Sequence, residues 1–143
     1  TAPARHVYDL YRRQVAEAAQ GPLRLYVEVH GNARAESAGR LEIATVGVSP
    51  EDAWRLKTLL ELIRDAHLPA DGGVPRLDAW VEPVDPVWYT ASAAKQSGLL
   101  AEARIALHIE MPRAARTAYR EFYTEVLADF LLQSVGMLLA SGR

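Results

Sequence analysis

Leu41-Glu42-Ile43-Ala44-Thr45-Val46-Gly47-Val48, residues 41–48, runs directly into Ser49-Pro50-Glu51-Asp52, and this junction decides the fold class. The first stretch is a strand candidate with apolar side chains on both faces, the pattern of a strand with a neighbour on either side. Ser49 then offers an N-cap hydroxyl, Pro50 fills the first helical position, and Glu51 and Asp52 sit on the positive end of the helix dipole. The helix so started runs to about His67. Its inward face is Leu56, Leu59, Leu60 and Ile63, with Lys57 and Glu61 as an exposed i,i+4 pair.

Outward from this junction, strands and helices alternate. Val7, Leu10, Tyr11, Val15, Ala18 and Ala19 recur at helical spacing between Pro3 and Gln20, and Gly21-Pro22 stops that helix. Leu23 to His30 is rich in strand formers and ends in the turn dipeptide Gly31-Asn32. Beyond the central helix, Pro69 to Pro75 form a loop, Leu77 to Glu82 read as a strand, and Pro83 and Pro86 break it. Trp88 to Leu100 suggests a short helix ending near Gly98. Arg104 to Met111 is a strand ended by Pro112, and Ala115 to Leu139 is a long amphipathic helix with the stripe Tyr119, Phe122, Val126, Phe130 and Leu131. The pattern predicts one α/β domain over residues 1–143, a three-layer, mostly parallel or mixed sheet with helices on both faces.

Composition narrows the function. The 143 residues are 50% hydrophobic and 24% charged, enough for an ordinary core. Sixteen Lys and Arg against eighteen Asp and Glu give a net charge of −2, without the basic excess on which nucleic-acid binders rely. Charges or prolines interrupt every apolar run before the roughly 20 residues that span a bilayer, so no membrane partner is expected. Absence of cysteine excludes a disulfide framework, a thiolate nucleophile and any Cys-based metal site, leaving His and carboxylates as ligands. Phosphate-binding and Rossmann glycine motifs and the G-x-S-x-G elbow do not occur. The chain begins at Thr1 without Met, which suggests a mature product or a piece of a longer polypeptide. A cytoplasmic protein acting on a small molecule or peptide is the expectation.

Ligands of open α/β sheets bind beyond the carboxyl ends of the strands. His30 closes one strand and Glu110 nearly closes another, each in apolar sequence, and both would face the same edge of a parallel sheet. Two readings stand. In the plainer one, which spacing alone favours, His30 is a partly buried histidine bonded to a backbone carbonyl, and Glu110 caps the next helix or pairs with Arg113. In the chemical one, a neutral imidazole binds zinc while a carboxylate takes the proton of the attacking water and delivers it to a leaving amine.

Val27-Glu28-Val29-His30-Gly31-Asn32 resembles the strand carrying the last zinc-ligand histidine in the zinc carboxypeptidase superfamily. Similarly, Leu107-His108-Ile109-Glu110-Met111-Pro112-Arg113-Ala114 resembles its later strand carrying the general-base glutamate. The N-formylglutamate amidohydrolase branch is the most similar, with a tyrosine-containing helix (here Tyr8 to Arg13) ahead of the ligand strand and a long C-terminal helix after Ile-Glu-x-x-Arg-Ala. The resemblance implies the C-terminal part of a larger, phosphorylase/hydrolase-like zinc-hydrolase domain. It also implies hydrolysis of an amide or peptide bond beside a carboxylate, with His30 as zinc ligand, Glu110 as general base and Arg113 as a carboxylate contact. Asn32 is a weaker candidate for orienting substrate or water. The superfamily's H-x-x-E motif is missing, so this chain would supply one ligand of about three. It would then associate with its own N-terminal half or form a homodimer.

Other residues have simpler readings. His6-Val7-Tyr8-Asp9 is an H-x-x-D on a leading helix and reads as structural; His108 reads as a sheet hydrogen-bonding residue; His67 suits a helix C-terminus. Arg34 and Arg40, flanking the loop after His30, read first as solubilising and second as contacts for an anionic substrate. The rival from another class is a non-catalytic α/β binding or assembly module with an incomplete metal site.

Overall fold

A computed structural model describes residues 1–141. In chain order the elements are α1 (Ala2–Ala19), β1 (Leu25–Gly31), a 3-10 turn (Ala35–Ser37), β2 (Arg40–Val46), α2 (Pro50–His67), β3 (Asp78–Val81), α3 (Ser92–Ser97), α4 (Leu99–Glu102), β4 (Ile105–Met111), α5 (Arg113–Arg116) and α6 (Arg120–Ser141). The strands form one mixed sheet in the order β1-β4-β2-β3. β1 runs parallel to β4 and β2 parallel to β3, while β2 and β4 are antiparallel. The expected three-layer α/β architecture is present, and β2 is central as its two-sided apolar pattern requires.

Local chemistry sets the boundaries. The Ser49 hydroxyl accepts from Asp52 N at 3.1 Å to cap α2, and β2 ends just before Gly47, whose φ of 67° suits a residue without Cβ. A Cβ there would also lie 2.1 Å from the Arg104 carbonyl oxygen. Alternation along the strands then separates two faces. Leu41, Ile43, Val81, Ile105, Leu107, Ile109 and Met111 form the apolar face, packed by Leu56, Leu60 and Ile63 of α2 and by Tyr123, Val126, Phe130 and Leu138 of α6. The opposite face is covered at one end, where Ala94 and Leu100 pack against Tyr26, Val46 and Ala106. Further along it the strands present Glu28, His30, Glu42, His108 and Glu110.

Several expectations change. α1 forms as predicted but buries nothing, and Val7 is 65% exposed. It is held by polar links instead: Leu99 N donates to the Tyr8 hydroxyl at 2.9 Å, the Tyr11 and Tyr26 hydroxyls lie 3.0 Å apart, and Arg12 pairs with Glu102. Lys57 pairs with Asp85 at 2.7 Å rather than with Glu61, because the tertiary partner is partly desolvated. The predicted single C-terminal helix breaks at Thr117 (φ −126°, ψ −92°) into α5 and α6. That break turns Tyr123, not Phe122, into the core. By length and composition α6 is long and apolar enough to cross a bilayer, contrary to expectation, since Glu125 and Asp129 are too few to interrupt it; here it supplies the core residues just named.

Candidate metal centre

The parallel register of β1 and β4 sets Glu28 beside His108 and His30 beside Glu110, and the antiparallel register of β2 and β4 sets Glu42 beside Glu110. Residues paired in register share a face, so a strip of carboxylates and imidazoles crosses three strands. Glu28 Oε2 lies 2.9 Å from His30 Nε2 and 3.3 Å from His108 Nδ1. The two imidazoles stack, with ring centroids 4.4 Å apart and planes 27° from parallel. One ligand atom from each of Glu28, His30 and His108 lies within 4.8 Å of the others, a spacing that can hold a metal ion.

The surroundings fit a cation. Among the described residues Glu28 and Glu110 pair with histidines and with no Lys or Arg, so neither carboxylate is occupied by a permanent cation. His108 stands between two carboxylates, its Nε2 lying 3.2 Å from Glu110 Oε1. A neutral imidazole can donate to only one of them and then turns a lone pair towards the other. With Nε2–H given to Glu110, Nδ1 is a free ligand atom beside Glu28, the arrangement in which a carboxylate fixes a ligand histidine's tautomer and orientation. Two nitrogens and a carboxylate oxygen suit zinc and other divalent ions of the same preference.

Support comes from the loops. Asn32 is buried; its Nδ2 donates to Glu110 Oε2 at 3.3 Å and its Oδ1 accepts from Ser37 Oγ at 2.9 Å and Arg34 N at 3.3 Å. The turn expected at Gly31-Asn32 is therefore a structural bridge to Glu110. Glu42, only 1% exposed, accepts from Arg40 Nε at 2.6 Å and from the backbone N–H groups of Trp88 and Tyr89 at 2.9 Å each. Beside the cluster lies a cavity of about 660 Å³ lined by Tyr8, Tyr11, Tyr26, Glu28, His30 and Ala94, among others. Burial, its bond with Tyr11 and the charge of Glu28 push the Tyr26 phenol above its ordinary range.

The sequence candidates thus separate. His30, Glu110 and Asn32 converge, whereas Arg113 is exposed and outside this hydrogen-bond network. His30 bonds to Glu28 rather than to a backbone carbonyl, and Glu110 bonds to His108 and Asn32 rather than to Arg113 or a helix end. His108 hydrogen-bonds on the sheet as expected, to Glu28 and Glu110, and is also a candidate ligand. Glu28 was the omission, and the Glu-x-His spacing was its signal, since residues two apart on a strand share a face. Arg40, read as a surface residue, is stacked on Trp80 at 3.9 Å and paired with Glu42. His67 at the end of α2 has partners on α6, Asp129 at 3.1 Å and Glu125 at 3.7 Å. No family model, curated protein or solved structure matches this chain, so the side chains described here are the ground for any functional reading.

Proposed function

We propose that this chain belongs to a zinc-dependent hydrolase of the carboxypeptidase or N-acyl amino acid amidohydrolase type, cleaving an amide or peptide bond beside a carboxylate. The observation that supports it is the convergence of Glu28, His30 and His108 next to a buried Glu110. The sequence resemblance assigned one ligand to this chain; the fold offers three candidate ligand atoms from within it. On this reading those three residues hold zinc, and zinc would supply Lewis acidity at the scissile carbonyl and acidify the attacking water.

On this reading Glu110 is the general base; standing across the His108 ring from Nδ1, it takes the attacking water's proton through one bridging water. Its two oxygens each accept one bond, from His108 and Asn32, which leaves about two of a carboxylate's four acceptor positions for the water's proton. That proton is then delivered to the leaving amine. Asn32 keeps the carboxylate in place, and Arg113 contacts the substrate carboxylate. A small molecule or peptide is the substrate, and the chain's own N-terminal half or a second copy is the associated partner.

Zinc content of the native protein, compared with His30→Ala and His108→Ala, tests the reading. About one zinc per chain, lost in both variants, together with hydrolysis of N-acyl amino acids or short peptides, is the expected result. A metal-free protein whose properties neither substitution changes would leave a binding module and overturn the assignment.

A further inference from the structure

α2 and α6 pack side by side and antiparallel over the apolar face of the sheet. Ser141 Oγ meets Asp52 at 3.1 Å at one end of the pair, and His67 meets Asp129 at 3.1 Å at the other. Their outer side, away from the sheet, is apolar as well. Trp54 is 56% exposed, Leu62 64% and Leu132 77%. Each stands two residues from a core side chain, Leu56, Leu60 and Phe130 in turn, and two residues turn a helix by about 200°. The three therefore share the side that the sheet cannot reach. Between the helices this side sinks into a groove of about 560 Å³ lined by Trp54, Leu59, Leu62 and Met137.

The charges of the layer select the occupant. The groove's charged residues, Glu51 and Arg55, close on each other at 2.6 Å, and Glu125 and Asp129 gather on His67 at the far end of α2. Arg55, Lys57 and Arg64, the basic residues of α2, are each paired with a carboxylate of the chain, so no basic surface on α2 awaits acidic lipid headgroups or another polyanion. A face that meets its own copy across a two-fold axis must not set unpaired like charges opposite each other, and a groove whose ion pair is internal meets that condition. The size fits too. Helices of 18 and 22 residues are about 27 and 33 Å long, and side by side they present a face about 20 Å wide. That is roughly 550 Å² in projection, and more with side-chain relief, close to the roughly 600 Å² per partner at which specific interfaces begin.

We propose that the outer face of α2 and α6 is a homodimer interface, on which a second copy lays the same face and buries Trp54, Leu62 and Leu132 of both chains. This goes beyond the hydrolase reading and does not rest on it, because α2 and α6 lie on the side of the sheet opposite the Glu28, His30 and His108 cluster.

Sedimentation equilibrium of the chain from about 1 to about 100 µM, with a chelator present, tests it. A dimer with a dissociation constant within or below that range is expected. Leu62→Glu and Leu132→Glu, at exposed positions where substitution keeps the fold, weaken it at least tenfold, while circular dichroism and the urea midpoint stay as in the unaltered protein. Val7→Glu, on the exposed α1, leaves the dimer unchanged. A chain still monomeric at about 100 µM, a dimer indifferent to both the α2 and the α6 substitution, or one lost in Val7→Glu overturns the proposal. So does a monomer that sediments with phosphatidylcholine vesicles through Leu62 and Leu132, which gives the face to lipid. With zinc withheld, a monomer leaves the metal reading standing, and a protein that binds no zinc leaves the dimer standing.

Discussion

Glu42 shows how much a single side chain carries in the sheet's polar strip. Replacing it by Ala leaves Arg40 and two backbone N–H groups without their acceptor in a site sealed from water. We expect Glu42→Ala to cost roughly 3–5 kcal/mol in urea unfolding; a loss under about 1 kcal/mol would mean that water reaches the site. Glu110 is predicted to act on zinc through His108. Glu110→Gln should weaken zinc by about 10–100-fold by disturbing the histidine's tautomer, measured by competition with a chromophoric chelator; unchanged affinity would show that Glu110 does not orient His108. At this scale half of the cluster was legible. His30 and Glu110 stood out as polar ends of apolar strands, but Glu28 and His108 matter because β1 and β4 are neighbours, and their contact joins positions 80 residues apart. No local pattern encodes that adjacency.

The elements were legible in type and order, and less so in the face they present. α2 shows both: its capping sequence fixed the start, while its Lys57 partner lay in a loop no spacing rule could reach. α6 is harder because it is apolar nearly all round; Leu132 is 77% exposed while Ser134 is buried. With no polar side to choose against, the inward face is set by packing on α2 and by the break at Thr117. The assignment predicts that Phe130→Ala costs about 3–5 kcal/mol and Phe122→Ala about 1 kcal/mol or less. Tyr123→Phe should cost about 1–3 kcal/mol, because its hydroxyl serves Leu77 N and the Pro75 carbonyl. Equal losses for Phe122 and Phe130 would contradict this face. The α2–α6 contact also has a pH signature. The Gln133 bond, then the His67 bond, hold the Asp129 carboxyl below its ordinary 3.8. A depressed folded-state value gives stability that is present above the unfolded value and lost as pH falls through the folded one. Asp129→Asn should therefore flatten the fall in urea midpoint between about pH 5 and pH 3, and an unchanged slope would show the bond to be inert.

Across the whole molecule the sheet separates two kinds of interaction. Two long helices seal its apolar face, whereas α3 and α4 cover only one end of the other. α1 illustrates why this division was not readable from periodicity: a helical stripe states which face could be buried, and burial depends on what packs against it. The rest of that face holds the imidazoles and carboxylates, with Glu42, His108 and Glu110 buried, and the candidate ligand atoms come from two strands, Glu28 and His30 on the edge strand β1 and His108 on β4 beside it. An ion there would cross-link the sheet's edge to its interior, so zinc should stabilise the native state selectively at β1. A ligand at 100 times its dissociation constant adds about 2.7 kcal/mol when it binds only the folded chain, and a few degrees in Tm follow for a domain of this size. We expect zinc to raise Tm by that amount, a chelator to reverse it, and His108→Ala to abolish it. Hydrogen exchange of the β1 amides should slow with zinc more than that of β3, which offers no ligand. Equal protection of both strands would mean that zinc acts on global stability without bridging β1 to β4, and no protection at all would place the ion elsewhere.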